Sequence, residues 1–224
     1  MATFLNLRKT VNYLIGQTNY GSKIDNVVID AHINSAVKDI CNRYPFSWNL
    51  KTANLTLTAG TAALSSDYNP RWHITDARIV NSSNGDDHIF AEVSVRDRDN
   101  YNSSDYVYWM STASTTGICS INSKTLTGTV AVYYQFLPTD MSVSSDVCVI
   151  PDENAVSYLA ASRLFLLDPS MKIIQKDFED KANNHITAMW VHDCDFGPAP
   201  ILNNPIDDNG GLNDMYETLE ISVG

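Results

Sequence analysis

Apolar side chains recur every three or four residues over the first part of the chain, which is the spacing of an amphipathic helix. This spacing predicts one helix over residues 3–15 and a second from the capping residue Asp25 to about Arg43. Pro45 ends the second helix, because the residue before a proline avoids helical backbone angles. The first part of the chain therefore holds two helices whose apolar faces need a packing partner.

The middle of the chain follows a different period, in which apolar and polar residues alternate over short segments. The clearest predicted strand covers residues 129–136 and is rich in β-branched and aromatic residues. An earlier strand begins near Ala53 and turns at Ala59-Gly60-Thr61. Several short strands separated by turn residues predict an antiparallel sandwich or a small barrel.

Helical spacing returns at Pro151-Asp152, the start of a helix that breaks at Asp168-Pro169. Ser170 caps a further helix, which ends near His192. Because the break between these two helices is short, we expect them to form an antiparallel hairpin. Helices at both ends with strands between them predict an α+β fold.

The last stretch, from Phe196, carries three prolines and the pair Gly210-Gly211, which neither a helix nor a central strand sustains. Its apolar residues are too many for a solvated tail and too scattered for a core of their own. They are Ile201, Leu202, Ile206, Leu212, Met215, Tyr216, Leu219 and Ile221. We therefore expect an extended arm that docks on another surface.

The net charge of −11 is unevenly distributed along the 224 residues. No lysine or arginine follows Lys181, whereas seven acidic residues do. Binding to nucleic-acid phosphates needs clustered cations, so direct nucleic-acid binding is not expected. No segment approaches the roughly 20 apolar residues of a membrane-spanning helix, so no membrane partner is expected either.

No catalytic centre is recognisable, because phosphate-binding glycine loops, nucleophile motifs and zinc-binding motifs are absent from the sequence. The nearest approach to a metal site is the run from His192 to Asp195, with His185 seven residues earlier. A hydrolase or metal enzyme that uses His185, His192 and Asp193 is one hypothesis, but a fraying helix end with mixed polar residues is the favoured interpretation. We therefore predict no enzyme activity, no metal and no cofactor.

Two further groups of residues have chemistry of their own. Tyr101, Tyr106, Tyr108 and Trp109 could form a surface that binds carbohydrate or another partner, although packing within the sheet is the favoured interpretation. The four cysteines have long spacings that match no metal or redox motif. We interpret them as reduced, partly buried thiols.

The order of these segments carries a further signal. A helix with the sequence INSAVKDI is followed by the aromatic motif YPFSW and then by a strand and turn with the sequence LTLTAGT. Later in the chain, VYYQFLP is followed by SSDVCVIP and then by the paired helices. The corresponding ranges are residues 33–40, 44–48, 55–61, 132–138, 144–151 and 153–190. In this order, over about residues 5–192, the chain resembles the head-to-tail adaptor (connector) family of tailed bacteriophages.

The resemblance implies a specific organisation of the fold. Residues 1–48 and 151–192 would form one helical bundle from the two ends of the chain. Residues 49–150 would form a β domain, an antiparallel sandwich or barrel, inserted between them. Residues 193–224 lie outside the resemblance, and their own composition predicts an extended acidic arm that docks on the portal or on a neighbouring copy.

The resemblance also implies a function without catalysis or cofactors. Such adaptors form a homo-oligomeric ring, commonly of twelve copies, between the portal protein and the tail or a second adaptor protein. DNA would pass through an acidic lumen without specific binding, and the protein would be found in the virion and, during assembly, in the host cytoplasm. The alternative is a carbohydrate- or receptor-binding β module of a viral tail, which would use the aromatic cluster.

Overall fold

Helices lie towards both ends of the described chain and strands fill its middle, as the two hydrophobic periods predict. The computed structural model describes residues 1–16, 24–80, 87–102, 104–112, 119–124, 127–166 and 169–196. The α-helices of these residues are α1 (Phe4–Gly16), α2 (Asn26–Arg43), α3 (Glu153–Phe165) and α4 (Lys172–Phe196). The predicted α+β class is therefore confirmed. None of the helices in this part of the chain is long and apolar enough to span a bilayer.

The first three helices begin and end close to their predicted limits. Asp25 caps α2 by accepting a hydrogen bond from the backbone N–H of Val27 at 3.2 Å. Asp152 caps α3 in the same way, through the N–H of Asn154 at 2.9 Å. Each carboxylate satisfies one of the N–H groups that the first turn of a helix leaves unpaired.

The last helix differs from the prediction at both ends. Ser170 does not cap α4 directly, because it lies inside a short 3-10 turn, Pro169–Met171, that precedes the helix. The helix also continues to Phe196, past the predicted end near His192. The next helix-breaking residue along the chain is Pro198, so the local sequence allows this extension.

The middle of the chain forms one eight-stranded sheet with the order β4-β3-β8-β1-β2-β7-β6-β5. The strands are β1 (Leu50–Thr58), β2 (Thr61–Ala63), β3 (Asp76–Val80), β4 (Asp87–Ile89), β5 (Ala91–Glu92), β6 (Val107–Thr112), β7 (Cys119–Ser123) and β8 (Thr127–Gln135). Among the described strand pairs, β5–β6 alone is parallel, which the prediction of an antiparallel sheet missed.

The two outermost strands of this sheet are consecutive in sequence, which makes the sheet a nearly closed barrel. Only Phe90 separates β4 from β5. The N–H of Phe90 donates to the carbonyl of Ala77 in β3 at 2.8 Å, and the N–H of Ala91 donates to the carbonyl of Tyr106 at 3.0 Å. Phe90 and Ala91 therefore bond to strands on both sides of the gap between the two edges of the sheet. Of the two predicted architectures, sandwich and barrel, the structure has the barrel.

The predicted turn after the first strand is confirmed. Ala59 and Gly60 join β1 to β2, and their φ angles are 49° and 79°. Two-residue hairpin turns of this left-handed kind match the right-handed twist of the paired strands. Glycine adopts this conformation without cost, whereas Ala59 is held there by the pairing of Thr58 with Thr61.

The apolar residues form two separate clusters. The first, the helical cluster, draws buried residues from all four helices and also includes Met141, Cys148 and Ile150 from the connection before α3. The second, the barrel cluster, lies between the strands and includes Tyr68, Tyr108 and Tyr134. The two ends of the chain thus share one apolar interior, and the barrel has another.

Candidate functional site

His185 and Asp193, two residues of the metal-enzyme hypothesis, make contacts between separate segments of the chain. His185 Nδ1 lies 2.7 Å from Asp152 Oδ2, which joins α4 to the capping residue of α3. Asp193 accepts hydrogen bonds from the hydroxyl of Ser47 and, at 2.7 Å, from its backbone N–H. Within the described ranges, no three histidine, cysteine or carboxylate side chains are grouped so that they could hold a metal ion.

The aromatic residues of the alternative hypothesis do not share one surface. Tyr108 is buried inside the barrel, where it stacks on Phe90 and its hydroxyl lies 3.4 Å from Glu92. Burial, reinforced by the charge of Glu92, raises the pKa of Tyr108. Tyr106 instead stacks on His88 with 4.5 Å between ring centroids. Tyr108 is therefore not accessible to a carbohydrate that binds to a surface built from these side chains.

The aromatic YPFSW motif connects the two ends of the chain. Tyr44 stacks on Trp190 of α4 with 5.0 Å between centroids, and Phe46 meets the same indole edge-on at 5.8 Å. Trp48 stacks on the other side of Phe46 at 4.7 Å. Because aromatic pairs in these geometries add to the stabilisation from burial, the motif fastens the end of α2 to α4.

Buried amides mark the place where the chain passes between the helices and the barrel. Asn49, before β1, donates to the carbonyl of Phe136 at 2.9 Å, and Gln135, at the end of β8, donates to the carbonyl of Phe46 at 3.0 Å. Their side-chain oxygens have no hydrogen-bond partner among the described residues. The two crossing segments are therefore tied to each other by reciprocal side-chain bonds.

A third connection joins the barrel to α2. Asn69 is buried, and its side-chain amide donates to the Asn42 oxygen at 2.7 Å, while the Trp72 indole N–H donates to the carbonyl of Cys41 at 3.3 Å. These contacts join residues that are far apart in sequence, so no local pattern indicates them. Together with the buried amides, they fix the barrel against the end of α2.

An exposed apolar surface lies where α1 begins. The segment at residues 144–148 runs beside residues 2–5, with the N–H of Phe4 donating to Asp146 at 2.7 Å and that of Leu5 donating to Ser144 at 3.2 Å. These bonds satisfy N–H groups in the first turn of α1. Large apolar side chains are nevertheless exposed on the two segments: Met1, Leu5, Val143 and Val147.

A groove of about 400 Å³ adjoins this surface and combines apolar walls with two carboxylates. Val37 of α2, Val147 and Val149 are among the residues that line it. Asp140 and Asp146 supply the carboxylates. Backbone N–H groups of Val143 and Ser142 lower the pKa of Asp146, so this side chain is ionised at neutral pH. The groove can therefore accept a cationic and partly apolar ligand.

Many of the cationic side chains on the helices form ion pairs. Arg8 of α1 makes a two-bond contact with Asp30 of α2, at 2.7 and 2.6 Å. Asp39 of α2 receives Arg43 and, at 3.0 Å, Arg163 of α3. These pairs are partly buried, and they orient the helices and neutralise basic charge.

The cysteines and the predicted arm complete the set of candidates. All four cysteines are free thiols, with Cys41 and Cys148 buried and Cys194 exposed. Burial raises the pKa of Cys41 to about 12, which suppresses its reactivity.

The predicted docking residues lie outside the described residues: Ile201, Leu202, Ile206, Leu212, Met215, Tyr216, Leu219 and Ile221.

Comparison with known protein families identifies a match for most of the chain. The model of the SU10 adaptor protein family matches residues 2–189. The matched stretch contains α1, α2, the barrel, α3 and most of α4, in that order. No curated protein matches the chain.

Proposed function

Because the chain belongs to the SU10 adaptor protein family, we propose that it forms a ring between the portal and the tail of a tailed bacteriophage. The family confirms the resemblance to head-to-tail adaptors and supports a structural role in the virion. The observation that carries the proposal is the match over residues 2–189, which includes both helical ends and the barrel. The proposed partners are the portal protein, tail or second adaptor proteins, and neighbouring copies of this chain.

The fold supports this proposal by the way it divides its surfaces. The helices from both ends of the chain share one apolar cluster, and we propose that this part acts as a helical bundle. A ring requires heterologous contacts, in which one surface of each copy meets a different surface of the next. The exposed groove beside α1 is one surface of the required kind.

The charge of the chain suits a channel for DNA. With a net charge of −11, the ring would repel the phosphate backbone over most of its surface. Phosphate contacts that hold DNA come from clustered lysine and arginine, and they release counterions when they form. We therefore propose that DNA passes through the lumen without specific binding.

The acidic arm, predicted over residues 193–224, is proposed to dock on the portal or on a neighbouring copy, although its first four residues belong to α4, which ends at Phe196. Removing residues 197–224 leaves every described helix intact, so the circular dichroism spectrum and thermal midpoint should stay close to those of the full chain. Attachment of the truncated chain to portal-bearing capsids should be lost. Normal attachment would refute docking by the arm and leave the ring to be tested separately.

The ring itself is tested by mass measurement of necks isolated from particles. The expected mass contribution is a whole-number multiple of 24.9 kDa, commonly twelve copies. Free protein that stays monomeric agrees with the proposal, because adaptors of this kind assemble on the portal. A single copy per neck would refute the ring.

A further inference from the structure

The end of α3 and the start of α4 expose apolar and basic side chains. Leu166 is 64% exposed and Ile173 is 86% exposed, which is high for large apolar residues. Lys172 and Lys176 are exposed one helical turn apart beside Ile173. We refer to these four residues as the lysine tip.

The lysines of this tip lie where a helix disfavours them. The first turn of α4 has no acidic residue, and the N-terminal end of a helix carries a partial positive charge. Neither Lys172 nor Lys176 forms an ion pair with another described residue. By contrast, Lys181, two turns further on, pairs with Asp177 at 2.7 Å. Lys172 and Lys176 are therefore available to a carboxylate from another molecule.

The groove beside α1 offers the complementary chemistry, and we refer to it as the acidic groove. Asp140 is paired with Lys38 but its side chain remains 59% exposed. Asp146 uses Oδ2 to accept hydrogen bonds from the N–H groups of Ser142 and Val143. Its other oxygen, Oδ1, has no hydrogen-bond donor among the described residues. Val143 and Val147 stand exposed close to these carboxylates.

No hydrogen bond or ion pair among the described residues joins these two surfaces within one copy. The acidic groove includes Val149, which precedes the start of α3, whereas the lysine tip follows the end of α3. The two surfaces are therefore separate and suit a contact between copies.

We propose that the lysine tip of one copy docks in the acidic groove of the next copy, an inference that rests on the proposed ring. Ile173 would cover the exposed valines, and Lys172 and Lys176 would meet Asp140 and Asp146. Because the two surfaces differ, the contact is heterologous and can be repeated around a closed ring. The chain's own arm fits the groove less well, since residues 193–224 carry acids and no cations.

The contact is tested by crosslinking in necks isolated from particles. Val143→Cys and Ile173→Cys are combined in a chain that also carries Cys194→Ser, because Cys194 is exposed. Under mild oxidation this double variant should give a ladder of disulfide-linked species up to the copy number of the ring. Either cysteine alone should give none, because a heterologous contact never brings two copies of one position together. The matched control combines Val27→Cys with Ile173→Cys, since Val27 is also exposed, at 71% against 54% for Val143, but does not line the groove.

A charge reversal gives an independent test. Lys176→Glu should reduce incorporation into necks about tenfold, which corresponds to about 1.4 kcal/mol of lost contact energy. Lys9→Glu makes the same charge reversal at an exposed position of α1 and should leave incorporation unchanged. Asp140→Lys alone should also reduce incorporation, and adding it to Lys176→Glu should restore assembly.

The outcomes separate this inference from the proposed function. Multicopy necks with no ladder and normal incorporation of Lys176→Glu overturn the contact and leave the ring standing. Necks that hold one copy of the wild-type chain overturn both. A ladder together with rescue by the second charge reversal supports both.

Discussion

The helical cluster and the barrel cluster fill their interiors with different side chains. The helices pack aliphatic and small residues together with phenylalanine, and α3 contributes Ala155, Ala160 and Ala161. The barrel cluster contains three tyrosines, and each hydroxyl has a polar partner at the edge of the cluster. Long flat rings that end in a polar group suit a narrow interior, whereas broad helical faces can be closed by apolar contact alone.

The largest expected effect comes from removing a ring in the helical cluster. Phe165 is fully buried and stacks on Phe178 of α4 with 5.5 Å between centroids. Phe165→Ala should lower the free energy of unfolding by about 3–5 kcal/mol, because it leaves a cavity between α3 and α4. Tyr133→Ala, at a 39% exposed position on β8, is the barrel control and should cost much less in chemical denaturation. Equal losses would show that the buried ring of Phe165 contributes no more to stability than a partly exposed ring.

The next effect concerns the amides between the two clusters. Gln135→Ala leaves the carbonyl of Phe46 without its side-chain donor and should cost about 1–3 kcal/mol in urea denaturation. Asn54→Ala, on the exposed side of β1, removes an amide that makes no described hydrogen bond and should change stability by less than about 0.5 kcal/mol. If both variants unfold at the same urea concentration as wild type, the crossing point is not stabilised by these bonds.

Within the barrel, the tyrosine hydroxyls should differ in importance. The Tyr134 hydroxyl donates to Asp67 at 3.0 Å, whereas the contact between Tyr108 and Glu92 is longer, at 3.4 Å. Tyr134→Phe should cost about 1 kcal/mol, and Tyr108→Phe should cost less, because a long hydrogen bond contributes little. Thermal denaturation of the two variants makes the comparison, and the reverse order would contradict it.

The smallest expected effect is a pH dependence of the free energy of unfolding, which arises from a histidine in α2. Burial, with the nearby charge of Arg163, lowers the pKa of His32 below its ordinary value of 6.5. The unfolded chain therefore binds a proton at His32 more readily than the folded chain, so stability falls as the pH drops below about 6.5. His32→Gln should show a smaller loss than wild type in denaturation curves at about pH 7.5 and pH 5.5. An unchanged pH dependence would remove His32 as a contributor.

The sequence predicts the helices well because their signals are local. Asp25 and Asp152 cap their helices where an acidic residue precedes an apolar period, and Pro45 follows the end of α2. The end of α4 was set too early, because the bonds from Ser47 to Asp193 come from a distant part of the chain. A period of three or four residues carries no information about such a partner.

The barrel and the candidate surfaces are less accessible to sequence reasoning. The closure at β4 and β5 depends on pairing with β3 and β6, and β5 has only two residues. The alternating pattern of β8 places the polar residue Gln135 at the surface, yet Gln135 is buried, as is Asn49 before β1. The acidic groove combines residues from α2 and the connection before α3, so its two sides are far apart in sequence.

The shared helical interior has a consequence for synthesis on the ribosome. Translation proceeds from the N-terminus, so α1 and α2 emerge before their partners α3 and α4 exist. Roughly 110 residues separate the end of α2 from the start of α3. At about 5–20 residues per second, the first two helices wait roughly 5–20 s with their apolar faces uncovered. The barrel strands emerge during this interval and can close first, so the nascent chain holds a finished barrel while its oldest helices still await burial.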